Sequence, residues 1–237
     1  MPGLKRTRRN VLLDMPRLAG LVIGYMAFLC VGMLVATDPA YAAARNRGAE
    51  QFVEQNATNA LGVLGDRSLD EAHVRRTFGD LISEFADVPR ISTFVLGAYA
   101  PGMRRDPRLA QEWSEAFRAF AVATYADRLH AYAGSAVRAT GSVERVAGQD
   151  VVVRTEIARD STLPSRVVQW RLLHSGAGWK VVDIAVVLDG NEVWLAQQQK
   201  SQFTSILGRN NGDMRALIAS VQQGTVALGG HAAVAPQ

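Results

Sequence analysis

The stretch Arg166-Val-Val-Gln-Trp-Arg-Leu-Leu-His174, Ser175-Gly-Ala-Gly178, Trp179-Lys-Val-Val-Asp-Ile-Ala-Val-Val187 decides the fold. Two β-rich runs joined by a short glycine-containing loop predict an antiparallel hairpin. Side chains alternate between the faces of a strand, so Val168, Trp170 and Leu172 share one side while Gln169 and Arg171 share the other. In the second strand Val182, Ile184 and Val186 form an apolar row opposite a mixed row that holds Asp183. Each strand therefore has one face built for apolar material, either a core or a ligand.

Upstream, Val137–Val146 and Val151–Ile157 repeat the period of two around the turn Gly148-Gln149-Asp150, which predicts a second hairpin. Before Gly134 the period is that of helices. Residues 45–65 place Ala49, Phe52, Val53, Ala60, Leu61 and Leu64 on one helix face that ends at Gly65. Ser68 followed by Glu71 matches a capping box, and Phe78, Leu81, Ile82 and Phe85 continue the helical spacing until Pro89. Ile91–Gly97 predicts one or two helical turns, with a short strand as the alternative. Asp106 and Pro107 suit the cap and first turn of a long helix carrying Trp113, Phe117, Phe120, Tyr125 and Leu129. After the break Leu188-Asp-Gly190, a helix is expected over Asn191–Leu207 and another from Asp213 to about Val221, with a flexible tail over 223–237. The expected architecture is α+β, with helices packed on one face of a twisted, mainly antiparallel four-stranded sheet and an apolar pocket between them.

Residues 1–44 read as a leader: basic residues up to Arg17, an apolar run Leu18–Ala36, and a small-residue tail with Ala-x-Ala at Ala40-Tyr41-Ala42 and Ala42-Ala43-Ala44. This is the pattern of a cleaved signal peptide, and the length of the apolar run also suits an uncleaved anchor. Either reading exports a single domain over 45–222. The leader holds five of the 26 basic and two of the 22 acidic side chains, leaving a nearly neutral body. Such a body lacks the basic field of a nucleic-acid binder. Cys30, the single cysteine, lies in the apolar run, so no disulfide is expected within the exported domain.

Four scattered histidines, His73, His130, His174 and His231, give no metal-ligand spacing. Phosphate-loop, dinucleotide and serine-nucleophile signatures are absent from the sequence. Asp183 reads as a cross-strand partner of Arg171 rather than a general base, so the catalytic set is empty. An excess of apolar and aromatic faces over polar chemistry suits a lipid-sized cavity. Periodicity alone leaves two alternatives open: a small-molecule enzyme on a cone-like α+β fold, and a membrane-associated adaptor with a filled core.

The residues also carry a resemblance. Val168-Gln-Trp-Arg-Leu172, Gly178-Trp-Lys-Val-Val-Asp-Ile184, Asp189-Gly190, Lys200-Ser-Gln-Phe-Thr-Ser-Ile-Leu207 and Asn210-Asn-Gly-Asp213 together resemble the MlaC / toluene-tolerance family of periplasmic lipid-binding proteins. Asp87-Val-Pro-Arg-Ile91, Val95-Leu-Gly97, Ala116-Phe-Arg118 and Thr124-Tyr125 add to it. The long leader and Trp194 lean toward the hopanoid-biosynthesis-associated branch; Gly190-Asn-Glu192 and Lys200 depart from the family pattern of Gly-x-Ser and Arg.

The resemblance implies a non-enzymatic, periplasmic carrier with bound lipid and no cofactor. Its partners are phospholipid or hopanoid, an inner-membrane ABC lipid transporter and an outer-membrane lipoprotein complex. Carried onto this chain, it implies a pocket lined by Phe94, Val95, Tyr99, Phe117, Tyr125, Trp170, Leu172, Val182, Ile184 and Val186, with Arg118, Arg171, Asp183 and Lys200 as structural or entrance polar groups.

Overall fold

Asn46 begins the ordered elements: its side chain accepts from the Ala49 N–H at 2.9 Å and starts helix α1, Arg47–Leu64. The computed structural model describes residues 45–103, 105–158, 165–188 and 191–232. The leader with Cys30, the Asp189-Gly190 break and positions 233–237 lie outside the described residues. Asp70 caps α2, Glu71–Phe85, by accepting from the His73 N–H. Ser68, the expected cap, instead donates to Asp66 two residues earlier. Two short helices, α3 (Val88–Phe94) and α4 (Ala100–Met103), flank a 3-10 turn at Gly97–Tyr99. Asp106 then caps the long α5, Pro107–Leu129, with Pro107 in its first turn as expected.

The sheet follows: β1 (Ala136–Val146), β2 (Asp150–Ala158), β3 (Arg166–Ser175), β4 (Gly178–Leu188) and β5 (Asn191–Trp194), hydrogen-bonded in that order and antiparallel throughout. The sheet has five strands, not four. The extra strand occupies the start of the expected helix 191–207, because Ala185, Val186 and Val187 take Trp194, Val193 and Glu192 as ladder partners. Helix α6 therefore starts only at Leu195 and runs to Arg209. The last helix, α7, spans Met214–Ala232 and so continues about three turns past Val221, where the helix was expected to give way to a flexible tail. Asp213 caps it through the N–H groups of Arg215 and Ala216.

The end of α6 shows why glycine is required at one turn. Gly212 has φ +79°, and a Cβ there would stand 3.2 Å from the Tyr99 ring. The left-handed backbone favours glycine here, and a side chain would also press on the Tyr99 ring.

Helices α1 and α2 pack against the sheet, α5 packs against both of them, and the three share one apolar core with it. Edge strand β1 is closed by α1. The Val137 N–H donates to Thr58 Oγ1 at 3.0 Å and the Ala139 N–H to Glu54 Oε1 at 2.6 Å, which satisfies donors an open edge would expose. Buried Glu50 locks the other end of α1 to β1. It accepts from Ser142 Oγ at 2.7 Å and from the Arg45 guanidinium through two bonds of 2.9 Å. These bonds, led by that of Arg45, hold the Glu50 carboxyl below its ordinary value against the opposing effect of burial.

Strand β4 departs from simple alternation. Arg171 faces Asp183, but Leu172 faces Val181, so Val182 is the extra residue of a bulge. The apolar row opposite β3 is therefore Val181, Ile184 and Val186, with Val182 outside it. The sequence pattern could not register this one-residue insertion, because Val181 and Val182 are the same residue type.

Candidate functional site

A small apolar cavity of about 20 Å³ lies between the sheet and helices α1, α2 and α5. Ala57, Ala60 and Leu61 of α1 meet Ile82 and Phe85 of α2 on one side. Leu129 of α5 closes one end, and Val137, Ile157, Trp170 and Ile184 form the floor, one residue from each of the first four strands. Eight of these ten residues are buried, and Leu129 and Ile184 are half-buried. Two alanines opposite an indole leave the gap that larger residues would fill.

The floor is held by a buried polar relay. The Trp170 indole N–H donates to Thr155 Oγ1 at 2.8 Å, and the Thr155 hydroxyl donates to the Val168 carbonyl at 3.2 Å. Thr155 has no solvent exposure and Trp170 only 4%. The relay orients the indole, and Phe85 packs against it with ring centroids 6.4 Å apart. An indole anchored this way presents a fixed hydrocarbon wall with no free donor.

Of the residues predicted to line a pocket, Trp170 and Ile184 meet at this cavity as direct ladder partners. Val186 and Tyr125 are half-buried against the same core but do not line the cavity. The Tyr125 hydroxyl is pushed up to about 12, by desolvation first and then by the Asp183 carboxylate, with Arg128 opposing. Leu172 is fully buried farther along β3.

The other predicted residues gather elsewhere. Phe117 stacks with Trp113 and Phe203 in an aromatic cluster between α5 and α6. Val95 is fully buried, Tyr99 rests on Gly212, and Phe94 is exposed beneath the Lys200 ammonium, 4.9 Å from its ring centroid. The alanines of α1 and the Ile82/Phe85 pair of α2 were missed as lining, although both sit on helix faces visible in the sequence. Which face meets which strand is set by packing that periodicity does not report.

The polar residues are structural in their contacts. Arg171 pairs with Asp150 of β2, at 2.9 and 3.2 Å, rather than with Asp183 opposite it. Asp183 is occupied: its Oδ1 accepts from the Ala196 N–H at 2.9 Å and the Ile184 N–H at 2.8 Å. It thereby caps α6 from a neighbouring strand, where the N-cap residue Trp194 offers no side-chain bond. Burial raises the Asp183 carboxyl, and the two N–H bonds and Arg171 oppose that rise. Arg118 is exposed and ties α5 to α2 through Ser83 at 2.8 Å and Asp80 at 3.1 Å.

Larger hollows lie on the surface. A groove of about 590 Å³ runs between α5 and α7, and another of about 440 Å³ between α6 and α7 beside Phe120. Both are open furrows between helices, with charged residues such as Glu112 and Arg209 in their walls. Among the described residues no group of acids, histidines or cysteines is arranged to hold a metal ion, and no helix is long and apolar enough to cross a membrane.

A family model described as MlaC protein matches residues 54–223. Among solved structures, the chain is similar to a phospholipid-binding protein from Ralstonia solanacearum, solved in complex with a phospholipid. The two are 23% identical with a TM-score of 0.64, over 76% of this chain and 98% of that one. No curated protein matches. The matched span takes in every element from the second turn of α1 to the middle of α7, and so contains the whole lining of the cavity.

Proposed function

The chain belongs to the MlaC family, and from that premise we propose that it is a periplasmic lipid carrier, exported by its N-terminal leader. It shields a phospholipid or hopanoid-like lipid between membranes, as the soluble component of an ABC lipid-transport system that also includes an outer-membrane lipoprotein complex. The observation that carries this reading is the cavity lining, ten residues from three helices and four strands that present only apolar surface to the space between them. The phospholipid bound by the Ralstonia protein of the same fold supports the ligand class.

At about 20 Å³ the cavity is contracted, since ligand pockets for larger molecules measure some hundreds of Å³. Loading therefore separates α1 and α2 from the sheet. Parting the packed layers has a cost, which burial of acyl methylenes, at about 0.8 kcal/mol each, opposes. The proposed lining is Trp170, Ile184, Val186 and Tyr125 together with the alanines of α1, while the Phe94, Val95, Tyr99 and Phe117 region forms the adjoining wall from which the helices move.

Expression of the full chain, purification without detergent and mass spectrometry of the extracted lipid test the proposal. Stoichiometric phospholipid or hopanoid is expected. A lipid-free protein that also takes up neither from vesicles refutes it.

A further inference from the structure

The two helices above the cavity are fastened differently. Helix α1 is tied to β1 along its whole length. The Asn46 N–H donates to Ser142 Oγ at 2.8 Å at one end, Glu50, Glu54 and Thr58 bond β1 between the ends, and the Gly134 N–H donates to the Leu61 carbonyl at 2.7 Å at the other. Gly65 permits that last approach, because a Cβ there would stand 2.6 Å from the Gly134 nitrogen. These bonds leave α1 only a pivot on the β1 edge.

Helix α2 is tied to the sheet at one end. Ala86, its C-cap, bridges Val181 of β4, and the Asp87 N–H donates to the Val181 carbonyl at 2.9 Å. Lys180 adds a bond to the Glu84 carbonyl. Helix α3 continues from this point and is held to α5, since the Trp113 indole N–H donates to the Ser92 carbonyl at 3.1 Å. The far end stands in solvent: from Gly65 through Thr77 every residue is exposed except Leu69 and Val74, which are half-buried. Only the second half of α2 turns large side chains inward, at Phe78, Ile82 and Phe85. At 1.5 Å per residue α2 is a lever of about 22 Å with its fulcrum at Ala86.

One side chain of α5 holds that lever down. Arg118 donates to Ser83 Oγ at 2.8 Å, to Asp80 Oδ1 at 3.1 Å and to the Gly79 carbonyl at 3.4 Å. Arg118 and Asp80 are both exposed, and exposed ion pairs contribute little, so this hold is easily released.

We propose that α2 is the lid of the cavity, swinging on Ala86–Asp87 at β4 and latched by Arg118. As it lifts, Phe78 and Ile82 rise farther than Phe85, and the space opens as a wedge above the anchored Trp170 indole. The proposal rests on the carrier reading and specifies how that same cavity is opened. Arg118 is a positioning residue in this arrangement.

A disulfide across the α2–α5 seam tests it. A Cβ at Gly79 lies 3.4 and 3.6 Å from the Val122 methyl carbons, near the span of about 3.5–4.5 Å between the Cβ atoms of a disulfide. Gly79→Cys and Val122→Cys are combined with Cys30→Ala, which removes the one native thiol. Delipidated protein prepared from the full chain, oxidised or reduced, is mixed with phosphatidylglycerol vesicles. Lipid per protein is followed by mass spectrometry, and circular dichroism compares the fold of the two states. The oxidised pair is expected to load at least about tenfold more slowly, and reduction to restore the native rate. In the native chain, Arg118→Gln is expected to speed release to empty vesicles about threefold, while Thr58→Val, which breaks one α1–β1 bond, leaves release unchanged.

Oxidised protein that loads as fast as its reduced form overturns the lid. Arg118→Gln with no acceleration, or with no more than Thr58→Val gives, overturns it as well, since the helical layer then loosens as a whole; this comparison decides alone if the cysteines do not pair. A native protein that takes up no lipid removes the carrier reading itself, a result distinct from all of these.

Discussion

Replacing Thr155 by valine is the sharpest probe of the cavity floor. The exchange keeps the β-branched shape and removes one oxygen, which both accepts from the Trp170 indole at 2.8 Å and donates to the Val168 carbonyl at 3.2 Å. Thr155 has no solvent exposure and Trp170 has 4%, so water cannot substitute without opening the core. A buried donor left without its partner costs about 1–3 kcal/mol. The Val168 carbonyl adds little, because a carbonyl has two acceptor sites and Val168 remains in the β2–β3 ladder. Thr155→Val should therefore destabilise by about 2 kcal/mol, or about 4–8 °C in Tm for a domain of this size. The assay is urea denaturation followed by circular dichroism, repeated in a Trp170→Phe background. With the indole gone no donor is stranded, so the cost of Thr155→Val there should shrink to under about 0.5 kcal/mol. Equal costs in both backgrounds refute the claim that the relay holds the indole, and with it the fixed wall on which the cavity's shape depends.

The remaining predictions concern the clasp of α1 and the space beneath it. Glu50 has a lowered folded-state value, so the stability its ionised form contributes is present above the unfolded value of about 4.3 and is lost as pH falls through the folded value. Glu50→Gln should lose about 1.5–3 kcal/mol at neutral pH by urea titration and show a correspondingly smaller acid loss between about pH 5 and pH 3; identical acid profiles for the two proteins exclude the clasp as a source of pH sensitivity. Ala60→Leu fills the gap opposite Trp170. It should keep the fold, with a cost of at most about 1–3 kcal/mol, while lowering the lipid recovered by extraction at least about tenfold, and full lipid occupancy in the folded variant would place the ligand elsewhere.

Much of the fold was legible because the signals were local. The hairpin 166–187 has one apolar face per strand, and Asp106-Pro107 cap and open α5 within two positions. What escaped the sequence depends on partners distant along the chain. Strand β5 has only four residues, and its identity comes from the ladder offered by β4 and from Asp183, which sets the start of α6 at the next turn. The same contact explains Arg171. The register does place it opposite Asp183, but that carboxylate is committed to the helix, so the guanidinium turns to Asp150 on the other neighbouring strand. The bulge at Val182 shifts the apolar row by one residue, which a run of consecutive valines cannot signal.

The candidate site divides along the same line. Trp170 and Ile184 could be selected from alternation because each strand presents a single buried face, and their pairing follows from the hairpin. Ala57 and Ala60 could not, since alanine on a helix stripe reads as close packing. Here close packing is what fails: with the indole tied to Thr155 and unable to lean toward α1, two methyl groups are too short to reach it. An apolar surface becomes a cavity rather than a core when one wall is held by hydrogen bonds and the facing wall is short. The tie at Thr155 is thus what keeps the space beneath α1 from closing.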